Sequence, residues 1–292
     1  MPRNFQPSMP QHPPPPVPAE RPGTVEQALQ RAVFALQMQR PDEAERLAAT
    51  VLKANRGNAV AAAVLGRALV QQNRAAEAIM PLERAARRGD NPALETQLAG
   101  ALAAAGHSDK ALEQLRRTTA RRPPFLPAFL EHAGQLAKSG QYAEAIAVLE
   151  SGLALIPGAL ELQTELAFLY VKRNDRVTAR TILSQALAAA PRQPQILAAL
   201  AQVMHLDGEY AAAADSYRRA LALRPDDVAA RKNLGACLLE MGERDAGEAS
   251  IRAAVQAAPQ LTGPAMISLA AASHGRFFLR PSAAANFLQG KG

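Results

Sequence analysis

Residues 194–227 read PQILAALAQVMHLDGEYAAAADSYRRALALRPDD, and this stretch decides the fold. Apolar residues keep helical spacing on both sides of the break at Asp207-Gly208-Glu209, and the stretch closes at Pro225. Working outward, Pro123, Pro157, Pro191, Pro225 and Pro259 recur every 34 residues. Small residues keep the same interval at Ala99, Ala133, Ala167, Ala201 and Gly235, and again at Ala111, Ala145, Ala179 and Ala213. Between these two series fall Gly106, Gly140, Asn174, Gly208 and Gly242. Gly and Asn tolerate the left-handed conformation that ends a helix, so this column marks a turn between two helices. Larger apolar residues recur at Leu102, Leu136, Tyr170, Met204 and Leu238, and at Leu115, Leu149, Leu183, Tyr217 and Ile251. A fixed period of this length specifies a solenoid. Each repeat reads as helix, Gly/Asn turn, helix and Pro turn. Its small residues let paired helices approach closely, and its leucines fill the space between pairs.

On these residues the chain resembles tetratricopeptide repeat (TPR) proteins. The repeat at 194–227 carries the match best, through Leu200-Ala201, Gly208-Glu209-Tyr210, Ala213, Tyr217, Ala220 and Pro225. The resemblance implies an all-α, right-handed α-solenoid. Repeats are expected at 25–58, 59–91, 92–125, 126–159, 160–193, 194–227 and 228–261, filling residues 24–261. Residues 262–292 are expected to form a capping helix and a tail, the helix running from Pro264 to about Ser273. The pattern departs from the family in places. The early Trp is replaced by Ala28, Ala62, Glu95, Phe129, Gln163, Leu197 and Arg231, the first two repeats lack the closing Pro, and His132 stands where other repeats have Leu. A packed, neutral histidine is expected there.

Residues 1–23 hold nine prolines, from Pro2 to Pro22, which exclude helix or sheet interior and predict a disordered tail with polyproline II character. A solvated tail is the favoured reading and a ligand for a proline-binding domain the alternative. Phe277, Phe278 and Leu279 concentrate apolar bulk near the other end. Completion of the cap is favoured there over docking onto a partner.

Composition narrows the function classes. Lys plus Arg number 33 and Asp plus Glu 26 in 292 residues, a net charge of +7, with 48% hydrophobic and 4% aromatic residues and no Trp. This Ala-rich, aromatic-poor balance favours helices over sandwiches or barrels. No apolar run is long enough to span a bilayer, and no apolar segment followed by a small-residue cleavage site opens the chain, so a cytoplasmic protein is expected. Arg outnumbers Lys more than fourfold, yet the charges are spread out, and no aromatic interleaves with the cluster from Arg116 to Arg122 to stack bases. Nucleic acid is therefore not the expected partner.

No catalytic or metal motif emerges. The five histidines have no i,i+4 spacing, and the single Cys237 sits mid-helix beside Leu238, in a core setting. There is no phosphate-binding glycine loop and no nucleophile elbow. Asp226 and Asp227 follow a Pro turn and read as helix caps. No enzyme activity, cofactor or metal is expected.

What remains is a surface. The TPR resemblance implies that the first helices line a concave face that holds partner peptides or helices. The groove positions it implies are Arg67, Gln97, Leu130, Phe168, Val171, Gln202, His205, Lys232 and Leu239, with Gly100 and Gly134 widening the groove. Lys232 and Asn233 pair in one repeat only, which does not make a carboxylate clamp. An apolar stripe with scattered polar residues suits a helical or hydrophobic peptide. Three readings follow. The first is a protein-interaction scaffold. The second is an accessory subunit recruiting a separate glycosyltransferase- or sulfotransferase-type enzyme, and the third a basic surface for nucleic acid or membrane.

Overall fold

The computed structural model describes residues 24–278 and 280–290, and among them every regular element is helical. The Pro-rich segment 1–23 and Leu279 lie outside the described residues. The chain forms two compact units, divided between Gly89 and Asp90.

The N-terminal unit holds α1 (Val25–Gln37), α2 (Pro41–Ala54), α3 (Ala59–Gln71) and α4 (Ala75–Ala86). Thr24 starts α1 with a capping box, accepting from the Gln27 amide while the Gln27 side chain accepts from the Thr24 amide. Asn58 caps α3 in the simpler way, accepting from the Ala61 amide at 2.9 Å. The core is small: Ala32, Ala35, Ala44 and Ala48 interleave with Leu36 and Val51, then Ala61, Leu69 and Leu82.

The C-terminal unit continues with α5 (Pro92–Ala104), α6 (Ser108–Thr119), α7 (Leu126–Lys138), α8 (Tyr142–Leu155), α9 (Leu160–Lys172) and α10 (Arg176–Ala189). It goes on through α11 (Pro194–Leu206), α12 (Tyr210–Leu223), α13 (Val228–Glu240) and α14 (Arg244–Ala257). Each first helix packs antiparallel on its second helix and each second helix on the next first helix. The expected turn column has the expected backbone: φ is +84° at Gly106, +77° at Gly140, +61° at Asn174, +79° at Gly208 and +83° at Gly242. The column also extends where no glycine announces it, to Gln39 (φ +57°) and Asn73 (φ +60°) in the N-terminal unit. Leu115, Leu149, Leu183, Tyr217 and Ile251 are fully buried, as the third apolar column requires. His132 is packed and 5% exposed. Burial, reinforced by Arg116, holds it neutral with a pKa lowered to about 4. Asp227 caps α13 through the Ala230 amide at 2.9 Å; Asp226 makes no such bond.

After α14 a short 3₁₀ turn, Pro259–Leu261, leads directly into α15 (Thr262–Ala271), so the expected capping helix starts two residues early. α15 lies on α13 and α14, and α16 (Pro281–Gln289) lies on α14. Leu269, Leu288 and Ala265 close over Leu239, Ile251 and Val255. Phe278 joins them, its ring tilted 45° against that of Phe287 with centroids 5.2 Å apart. Phe277 does not: it is 74% exposed. Adjacent residues in an extended segment point to opposite sides, so only one of the pair can enter the cap.

Candidate functional site

The site follows from how the C-terminal unit curves. Successive first helices α5, α7, α9, α11 and α13 touch one another, whereas no pair of successive second helices makes comparable contact. The first helices therefore lie on the inner side of the curve. Their exposed and half-buried residues form a continuous strip that no other element of the unit covers until α15.

The residues expected on this strip divide into three groups. Gln202 is exposed, and Gln97, Leu130, Phe168, Val171, His205 and Lys232 are half-buried. Of these, Leu130 packs against the core around Phe129 and Leu166, and Phe168 and Val171 against that around Ile196 and Leu200. They present part of their surface and spend the rest on helix-to-helix seams. Arg67 is exposed on α3 and belongs to the N-terminal unit, not to this strip. Leu239 is a correction. It is 0% exposed, because the capping helix α15 sits over the position that Val171 and His205 fill in earlier repeats.

His205 and Cys237 meet across α11 and α13, with Nδ1 and Sγ 3.3 Å apart, and Tyr210 packs edge-on to the imidazole at 5.3 Å. Burial lowers the His205 pKa, against a raising contribution from Glu240 and a further lowering one from Lys232. Burial also pushes the Cys237 thiol up to about 11. The pair is a neutral thiol against a neutral imidazole, a packing contact without nucleophilic character. Burial lowers the Lys232 pKa as well. Among the described residues no three His, Cys, Asp or Glu side chains gather as metal ligands, and no helix is long and apolar enough to cross a membrane.

The structure adds residues that were not singled out from the sequence. Glu131 and Glu165 stand one and two periods beyond Gln97, so the 34-residue interval that exposed the turns also marks them. Glu131 Oε1 accepts from Gln135 Nε2 at 2.7 Å and lies 3.6 Å from where a Cβ on Gly100 would be. Glu165 has no cationic partner among the described residues, and burial raises its pKa. Gln97 Oε1 is buried without a hydrogen-bond partner. The inner strip thus carries polar side chains at one interval, Gln97, Glu131 and Glu165, beside the apolar surface of Leu130, Phe168 and Val171.

The comparisons agree with this architecture. One tetratricopeptide repeat family model matches residues 136–203 and 205–272, and a second matches residues 29–93 and 96–159. Among solved structures, a tetratricopeptide repeat protein from Parabacteroides merdae superposes with a TM-score of 0.59 at 15% identity, covering 80% of this chain and 93% of that one. The APC/C hetero-tetramer Cut9–Hcn1 superposes with a TM-score of 0.55 at 15% identity over 91% of this chain. This chain spans 56% of the length of the Cut9–Hcn1 chain it matches. No curated protein matches the chain in sequence. At such identities the structural likeness is one of fold, and the sequence models carry the assignment. With matches running through nearly every helical hairpin, the chain belongs to the tetratricopeptide repeat family, whose repeats serve generally as non-enzymatic protein-interaction modules.

Proposed function

We propose that this chain is a non-enzymatic scaffold that holds a peptide or helix of a partner protein along the inner strip of its C-terminal unit. The observation that carries the reading is the carboxylate pair Glu131 and Glu165, one period apart, next to half-buried apolar side chains. The carboxylates of Glu131 and Glu165 offer acceptors to a bound peptide's N–H groups or basic side chains. Leu130, Phe168 and Val171 supply the apolar contact that an amphipathic segment needs. Gln202, His205 and Lys232 extend the strip toward the cap. A cytoplasmic setting, with the chain carrying no activity of its own, is part of the same proposal.

Affinity capture with the full chain, read by mass spectrometry at low and high salt, tests it. A partner retained at high salt should fall at least about tenfold in recovery with Phe168→Ala and with Glu165→Gln/Lys232→Glu, while circular dichroism stays unchanged; tenfold corresponds to about 1.4 kcal/mol. Undiminished capture by both variants sinks the inner-strip assignment.

A further inference from the structure

The N-terminal unit has a second feature, on its outer side. In this unit α1 and α3 touch, but α2 and α4 on the outer side make no comparable contact. The two second helices diverge over α3 and leave a cavity of about 310 Å³. Its floor is apolar, built from Ala49 and Leu52 of α2, Leu65 of α3 and Pro81 of α4.

Its rim is cationic. Lys53 lies in the last turn of α2, Arg56 stands in the turn that follows, and Arg84 faces them from α4. Arg88, one turn beyond Arg84, reaches across the same α2–α3 turn, its guanidinium packed directly on Gly57. Among the described residues none of these four cations has a carboxylate partner. The neighbouring carboxylates are engaged elsewhere, Glu45 and Glu77 with Arg74, Glu43 with Arg40 and Glu83 with Arg87. Lys53 and Arg84 do sit in the last turns of their helices, where a cation complements the carbonyl ends. That role needs one charge per helix and accounts for neither Arg56 nor Arg88.

Unpaired cations around an apolar floor select an anionic ligand with an apolar anchor. The volume stands at the small end of ligand cavities and is enough for a side chain. No aromatic lines it, so bases would find no stacking platform. We propose that this cavity docks an acidic peptide segment of a partner protein. One aliphatic side chain sits on Leu52, Leu65 and Pro81, and flanking carboxylates meet Lys53, Arg56, Arg84 and Arg88. This site is separate from the inner strip and stands or falls without it.

Fluorescence anisotropy with the full chain tests the proposal. The probe is a fluorescein-labelled peptide with one leucine flanked by glutamates, compared with the same peptide carrying serine for leucine. Lys53→Glu/Arg84→Glu should weaken binding at least about tenfold, Lys53→Gln/Arg84→Gln by less, and added salt should weaken the wild type. Both side chains are exposed, so the fold tolerates these changes. Phe168→Ala should leave this affinity unchanged, which distinguishes the cavity from the inner strip. Equal binding by the charge-reversal variant overturns the site. Equal binding of the serine peptide overturns the anchor. Phosphatidylserine vesicles or duplex DNA that bind more tightly than the peptide, and are lost in the same variant, overturn the peptide as occupant.

Discussion

The first hairpin, α1–α2, and the last, α13–α14, share one repeat pattern and end the array in opposite ways. At the last, Leu239, Ile251 and Val255 are covered by Leu269 and Leu288 from helices that break the period. Glu248, 4% exposed, meets Arg244 at 3.2 Å and Arg276 at 3.0 Å, with Arg252 3.8 Å away. Arg252 and Arg276 both lie over the Phe287 ring, at 4.8 and 4.7 Å. At the first hairpin, Phe34 and Met38 are 58% and 51% exposed, with nothing over them among the described residues. The helix crossings differ as well. A Cβ on Gly235 would come within 2.8 Å of the Gly247 carbonyl oxygen, and one on Gly247 within 2.9 Å of that of Gly235, while Ala32 and Ala44 take these offsets in the first hairpin. In a solenoid each repeat is stabilised by its neighbours, so a covered end holds its last repeat, while among the described residues the first hairpin has half the interfaces.

The sharpest way to break this contrast is to remove the cover. Leu269→Ala should destabilise α13–α16 by about 4 kcal/mol, the upper range for a fully buried leucine. Amide hydrogen exchange resolved along the chain should place the loss there and leave α1–α2 unchanged. An even loss over all hairpins would mean that the ends are not independently set.

A change distant from both ends is the control. Burial holds His132 near pKa 4 against 6.5 for an unperturbed histidine, so it is neutral in the fold. Above pH 6.5 neither state takes the proton. Below it the unfolded chain takes up a proton that the fold refuses, so stability falls as pH drops from 6.5 to 4. At 1.36 kcal/mol per unit this amounts to about 3 kcal/mol at its full extent. Urea titrations across this range should show the fall in wild type and a flatter profile in His132→Leu, with exchange at the two ends keeping its ratio.

Glu248→Gln should cost about 2 kcal/mol, the scale of a hydrogen bond to a charged group, because three half-exposed arginines lose their shared anion. Near-ultraviolet spectra or Phe287 ring resonances should report a loosened α16. An unchanged signal would mean that the apolar contacts of Leu269 and Leu288 hold the cap without the ion cluster.

These residues also show what the sequence could disclose. The hairpins were legible because an αL turn favours Gly or Asn, and Gly106, Gly140, Asn174, Gly208 and Gly242 advertise it at one interval. Gln39 takes the same conformation without a residue type that signals it. Leu239 was misplaced for the converse reason: its offset equals that of His205, and only the non-repeating α15 distinguishes the two. The inner acceptors Glu131 and Glu165 obeyed the period and could have been found by it. The outer cavity could not, because Lys53 and Arg84 come from different repeats. The charge run that does stand out, Arg116 to Arg122, is largely neutralised, Arg116 and Arg117 by Glu113, and Arg121 by Glu95 and Asp90. Charge density along a chain is thus a poor guide to unpaired charge in space.

Two smaller effects probe the first hairpin. Gln39→Gly should stabilise the first hairpin by about 1 kcal/mol, the strain a non-glycine residue bears at φ +57°. The same substitution idea has no target in the last hairpin, where Gly242 already fills the position. Phe34→Gln should change stability by no more than about 0.5 kcal/mol, the range for an exposed side chain with few contacts. That near-neutral result is the most discriminating of the set. A large exposed aromatic contributes little only while nothing packs on it. Were Phe34→Gln to destabilise the full chain by several times that amount, α1 would have a cover in solution, either from residues 1–23 or from a second copy. Repeating the measurement on residues 24–292 over a range of protein concentration separates the two: loss of the effect on truncation assigns the cover to the Pro-rich segment, and dependence on concentration assigns it to self-association.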